Sequence, residues 1–230
     1  LVVILFLILL ASLFFFRIIK QQSEYHKNEL QVWASMKEGI TYIYRTKEIL
    51  GALCLDMFAV LFGGAVAMIP VFASDILKVG ADGFGLLNAA SDIGSMMIIV
   101  TLSFIPLRKN QGKILIGVVA GFGLCIIGFG LSKLYWLSFL FLMLSGIFDG
   151  ISVVIRGTIV QLKTPDHIRG RVMSANSIFI MSSNEMGQFE SGVAAKLLGV
   201  VRSVVFGGTM TVLIALFVGK FVPKLRKMEY

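Results

Sequence analysis

Charge is scarce in this chain. Only 15% of its 230 residues are Asp, Glu, Lys or Arg, while 57% are hydrophobic and the mean hydropathy is +0.89. Such a composition is too apolar for a soluble domain of this length. Thiols are rarer still. Cys54 and Cys125 lie in separate apolar runs, and with no CxxC pair they support neither a disulfide nor a metal centre. The two histidines, His26 and His167, stand in polar segments with no second ligand at metal spacing. HExxH, GxSxG and P-loop patterns are absent, so an intramembrane protease or an ATP-driven pump domain has no support. The expectation is a protein that is not an enzyme and uses no cofactor. No alternating strand pattern occurs either, and closed helical hydrogen bonding is what a bilayer demands.

What the chain has instead is a series of apolar segments near the length that spans a bilayer core. Seven are expected: 1–16, 49–72, 84–107, 114–132, 135–155, 173–198 and 203–222. The first lacks the basic leader and small-residue cleavage site of a signal peptide, and is read as the end of a preceding membrane helix. The fold class is therefore an all-α membrane protein. Its parts are that helix end, a polar segment 17–48, a six-helix bundle 49–222 and a basic tail 223–230.

The net charge of +8 is a topology signal. With 17–48 placed in the cytoplasm and each helix reversing the chain, seventeen of the 21 Lys and Arg fall on the cytoplasmic side. They include Arg108, Lys109, Lys113, Arg156, Arg169 and Arg171, read as anchors or gate elements at the cytoplasmic helix ends. Only Lys78, Lys133, Lys196 and Arg202 fall on the other side, a positive-inside asymmetry that argues against nucleic-acid binding and puts the C-terminus in the cytoplasm. Within 17–48, Trp33, Met36, Ile40 and Ile43/Tyr44 recur at helical spacing, as in an amphipathic helix at the membrane surface; a solvated linker helix is the alternative.

Local signals refine the bundle. Thr164, Pro165 and Asp166 read as N-cap, first helical position and first turn of the fifth complete helix. Gly117/Gly121 and Gly146/Gly150 have the spacing that lets membrane helices approach closely. Gly63-Gly64 and Gly187 are candidates for loosening helices that bend.

The polar residues inside the spans carry the functional reading, because ionised groups in hydrocarbon cost several kcal/mol unless paired or wetted. Asn88, Asp92 and Ser95 share one helix face, and Ser145, Asp149, Ser152 and Arg156 share another. Asp149 and Arg156 are separated by roughly 10 Å along the axis, which predicts that each meets a partner on another helix or water rather than forming a direct pair. The fifth complete helix holds Asn176, Ser183, Asn184, Glu185, Gln188, Glu190 and Ser191, of which Asn184, Gln188 and Ser191 share a face. Asp56 lies deep in the first complete helix. Each acid alone fits a structural interhelical hydrogen bond. Five of them on four helices, aligned with amides and hydroxyls, favour a hydrated pathway for a substrate and protons. Within it, Asp149 and Glu185 are the preferred proton carriers.

These residues resemble a known family. Six helices after a basic, amphipathic segment resemble the C-terminal half of a major facilitator superfamily transporter, with 1–16 as the end of helix six. TPDHIRGRVMSANSIFIMSSNEMGQFESG at 164–192 is similar to the helix 10–11 region of the enterobactin-exporter-like branch, and LDMFAVLFGGAVAMIPVFA at 55–73 to its helix seven. The resemblance implies a proton-coupled exporter of siderophore-like or drug-like molecules in a bacterial inner membrane, working by alternating access with a second, N-terminal six-helix half. It implies functional positions at Asp56, Asn184, Glu185, Gln188 and Glu190, and a cytoplasmic loop element at Arg169, Gly170 and Arg171. LRKNQGK echoes the superfamily's basic loop but lacks its aspartate, and positive-inside anchoring accounts for its Arg108, Lys109 and Lys113. A non-transporting membrane scaffold and an ion channel are the competing readings.

Overall fold

The computed structural model describes residues 29–105, 107 and 110–222. The helix end expected at 1–16, the start of the polar segment, Arg108, Lys109 and the 223–230 tail lie outside the described residues. The main helices are α1 (Glu29–Arg45), α2 (Lys47–Phe62), α3 (Ala81–Phe104), α4 (Gln111–Leu131), α5 (Tyr135–Lys163), α6 (Arg169–Leu198) and α7 (Val200–Phe221), and no strand occurs among the described residues. From Ser35 onward the chain forms one compact unit. Of the unit that ends at Ala34, the described part is the start of α1.

Among the described residues, five stretches are long and apolar enough to cross a membrane: Lys47–Ile76, Ala81–Phe104, Gln111–Leu131, Tyr135–Lys163 and Val200–Phe221. Helix α6 is as long, at 30 residues, but its Asn, Glu, Gln and Ser content keeps it off that set.

Small residues fix which helices touch. Helices α3 and α5 pair along Gly94, Gly146 and Gly150: a β-carbon at Gly94 would collide with the Met143 carbonyl, and one at Gly146 with the Ser91 carbonyl. Close backbone approach of this kind replaces the hydrophobic drive that lipid removes. Helices α4 and α7 pair in the same way, but through Gly123 and Gly208 rather than the expected Gly117. A β-carbon on Gly117 would meet nothing within 4 Å, and Gly121 lies against the Phe148 ring.

The first span is interrupted as its glycine pair predicts. Helix α2 stops at Phe62, and beyond Gly63-Gly64 the chain continues as a 3-10 turn (Ala65–Met68), one α turn (Ile69–Val71) and a π turn (Phe72–Ile76). Gly187, in contrast, sits in an unbroken helix. Its role is to admit α2, since its β-carbon would lie 2.6 Å from the Val60 carbonyl oxygen. The break divides the apolar interior into two clusters. One gathers Leu55, Ala59, Leu115, Val119, Ile155 and Ile159. The other gathers Ile69, Phe72, Leu87, Phe129 and Leu142.

Two sequence expectations need correction at the end of the bundle where α5 meets α6. Helix α5 runs past 155 to Lys163, and Thr164 closes it instead of capping α6. Pro165 is extended at φ −58° and ψ 145°, a 3-10 turn (Asp166–Ile168) follows, and α6 starts only at Arg169. Helix α1 is also more than a surface helix. Gly39 packs on the Arg171 backbone, Ile43 is fully buried, and Tyr42 Oη donates to the Lys163 carbonyl at 2.5 Å. Glu38 pairs with Arg171, while Tyr44 stays exposed.

Candidate functional site

A cleft of about 530 Å³ opens between α2, α5 and α6, beside the glycine break. One wall carries Asp56, Asp149 and Arg156, and another carries Asn176, Asn184 and Gln188 of α6; Val60, Phe122, Val153 and Ile180 supply apolar surface between them. Periodicity explains the arrangement. Asp149, Ser152 and Arg156 fall on one face of α5, and that face meets Asp56 of α2.

The three ionisable groups are organised around the arginine. Arg156 is ion-paired with Asp56, both side chains being 8% exposed. Its other terminal nitrogen lies 3.9 Å from Asp149, whose side chain is 42% exposed to the cleft. Arg156 Nε also donates to the Ser152 carbonyl at 3.3 Å. Two acids against one base leave a net negative charge when both carboxyls are ionised. Asp149 is the acid with the looser pairing and the greater access. The expectation that Asp149 and Arg156 are too far apart to pair is therefore corrected: an axial offset of two turns is within reach of a long guanidinium side chain on the same helix face. So is the expectation of Arg156 as an interfacial anchor, because its side chain is buried among helices rather than held at their ends.

The other sequence-derived candidates are distributed differently. Asn184 and Gln188 line the cleft, and Asn176 of the same helix joins them. Asn176 Oδ1 is buried without a hydrogen-bond partner among the described residues. Ser191 is buried beside Gly64. Glu185 is exposed and outside the cleft lining. Glu190 is half-buried and lines a separate, largely apolar groove with Leu61, Phe189 and Leu197. Asn88 and Asp92 are exposed on α3, since Leu87, Ala90 and Gly94 take the packed face. Ser91 contributes to the cleft in their place. Among the cytoplasmic candidates, Arg169 pairs with Asp166 and Arg171 with Glu38, while Lys113 is exposed. Among the described residues no cluster of His, Cys, Asp and Glu fits a metal ion.

Over residues 1–230 the sequence matches the family described as transmembrane secretion effector. The chain belongs to that family. Transmembrane secretion effectors are of the major facilitator type, a transporter family, and the all-helical fold with its apolar spans agrees with that membership. A comparison with curated proteins found no match.

Proposed function

We propose that this transmembrane secretion effector is the C-terminal half of a proton-coupled exporter, moving a siderophore-like or drug-like small molecule out across a bacterial inner membrane by alternating access. The observation that carries this reading is the cleft itself. A tightly held acid–arginine pair and a half-exposed second acid face three amides across about 530 Å³, on the scale of a small-molecule site. Asp149 carries the exchangeable proton. A carboxyl that alternates between wet and dry surroundings changes its proton affinity, which is how a gradient is coupled to movement. Arg156 and Asp56 hold Asp149 in place, and Asn176, Asn184 and Gln188 contact the cargo. The six-helix N-terminal half closes the other side of the pathway, as alternating access between two repeats requires.

The test uses the full-length protein in proteoliposomes, following efflux of candidate siderophores and drugs with and without a pH gradient. Gradient-stimulated efflux in the wild type that disappears in Asp149→Asn supports the reading. Unchanged gradient-driven efflux in that variant would sink the proton assignment. A scaffold that only knits helices together predicts no gradient-dependent efflux in the wild type.

A further inference from the structure

Three groups decide the charge of the cleft: Asp56 of α2 with Asp149 and Arg156 of α5. Among the described residues, no other Asp, Glu, Lys, Arg or His lines it. Helix α6 presents the amides of Asn176, Asn184 and Gln188, α3 presents Ser91, and α4 presents Phe122. With both carboxyls ionised, the cleft carries one net negative charge.

The three groups are not equally open to a ligand. Arg156 is shielded and committed to protein partners: it is ion-paired with Asp56, approaches Asp149, and donates from Nε to the Ser152 carbonyl. Asp149 is half-exposed to the cleft. An anion entering here meets a buried base already held by an acid, whereas a cation meets an open carboxylate. A second feature, independent of the acids, has the same sign. The glycine break ends α2 at Phe62, partway along the apolar span Lys47–Ile76, and Val60, Gly63 and Gly64 line the cleft. The C-terminal end of a helix carries partial negative charge, and half-helix ends of this kind hold cations in other transporter folds.

We infer that the cleft takes an amphiphilic small molecule bearing one positive charge, and that Asp56 sets this selectivity by neutralising Arg156 and so leaving Asp149 to the cargo. The inference rests on the export reading proposed above and narrows its cargo. Apolar parts of the molecule lie against Phe122, Val153 and Ile180, and its uncharged polar groups meet the amides. The cargo's positive charge and a proton on Asp149 compensate the same negative charge, so each excludes the other. Asp56 touches no cargo in this arrangement. It is a positioning residue, and removing it frees Arg156 to pair with Asp149 and leaves the cleft neutral.

The test is equilibrium binding to the full-length protein in lipid nanodiscs under weakly alkaline conditions, with uptake by empty nanodiscs subtracted. The probes are tetraphenylphosphonium and tetraphenylborate, ions of nearly the same shape and opposite charge. The wild type should bind the cation roughly tenfold or more tighter than the anion, the scale of a charge contact partly screened by solvent. Asp56→Asn should abolish that preference although Asp149 is intact. Combining it with Arg156→Gln returns one net negative charge and should return the preference, which a merely structural role of Asp56 would not do. Asp149→Asn keeps the Asp56–Arg156 pair yet neutralises the cleft and should also lose the preference, so the charge rule is tested even where Asp56→Asn fails to fold. Equal binding of the two ions by the wild type, tighter binding of the borate, or a preference retained in either single Asn variant overturns the inference. If gradient-driven efflux persists in that case, the transport reading stands without it. A cation preference in a wild type that shows no gradient-driven efflux overturns the transport reading and leaves a cation-binding cleft.

Discussion

Arg156 of α5 is ion-paired with Asp56 of α2 in the interior of the bundle, and this pair joins the two helices beside the cleft. Both groups are almost fully shielded, so their desolvation is offset only while each retains the other. A lone survivor would be an uncompensated charge in a low-dielectric interior. The pair therefore ties the position of α2, just before its glycine break, to the face of α5 that presents Asp149.

The first prediction follows from that dependence. Arg156→Met should destabilise the folded protein by about 3–5 kcal/mol, because it strands Asp56. The double variant Arg156→Met with Asp56→Leu should recover most of the loss, since a well-packed apolar pair removes the charge problem. Unfolding of the four proteins in matched detergent, treated as a double-mutant cycle, reads the coupling. A double variant no more stable than Arg156→Met would contradict the pairing.

Asp149 and Glu185 should separate cleanly. Asp149→Asn is expected to lower gradient-driven efflux by roughly a hundredfold, the scale of losing a positioned proton-transfer group. Its stability should barely change, because the side chain is 42% exposed and its contact with Arg156 is loose. Glu185→Gln should transport like wild type, because Glu185 does not line the cleft. Efflux assays of both variants alongside their melting curves distinguish the two effects; a crippled Glu185→Gln would move the pathway to the outer face of α6.

Much of this was readable in the residues. The stripe Ser145–Asp149–Ser152–Arg156 and the shared face of Asn184 and Gln188 follow from helical period alone; the stripe supplies buried polar groups, and the two amides line the cleft. The glycine pair at 63–64 marked the break correctly. What period cannot supply is the rotation of each helix about its axis. For α3 that rotation is set by Ala90 and Gly94, whose small size lets α5 approach, and it turns Asn88 and Asp92 outward. For α6 it is set by Gly187 and Ser191 against α2, which aims Asn184 and Gln188 at the cleft and leaves Glu185 outside it. Side-chain length was the other gap. Axial rise alone separates Asp149 from Arg156, yet the guanidinium closes the distance to 3.9 Å.

The α3–α5 crossing should be sensitive to a single methyl. A β-carbon at Gly146 would collide with the Ser91 carbonyl, which is backbone and cannot rotate away. Gly146→Ala should therefore cost about 1–3 kcal/mol through forced separation of the helices. Gly117→Ala is the control on α4: its β-carbon meets nothing within 4 Å, and replacing a helical glycine should stabilise by up to about 1 kcal/mol. Opposite signs in thermal unfolding would support the crossing as described, and equal effects would refute it.

The junction of α1 with α6 gives a prediction that separates charge from shape. Glu38 and Arg171 are ion-paired, but their side chains are 48% and 39% exposed, so solvent and salt screen the attraction. Glu38→Gln should cost no more than about 1 kcal/mol, and that cost should fade as salt is raised. Gly39, the next residue, lies against the Arg171 backbone; a β-carbon there would come 2.8 Å from the Arg171 carbonyl carbon. Gly39→Ala should be the more damaging change and should be insensitive to salt, since steric overlap is not screened. Limited proteolysis of α1 at low and high salt reads both: faster cleavage in Gly39→Ala at either salt, and in Glu38→Gln a small, salt-dependent effect. Equal, salt-dependent cleavage in the two variants would mean that charge, rather than the close backbone contact at Gly39, holds α1 to α6.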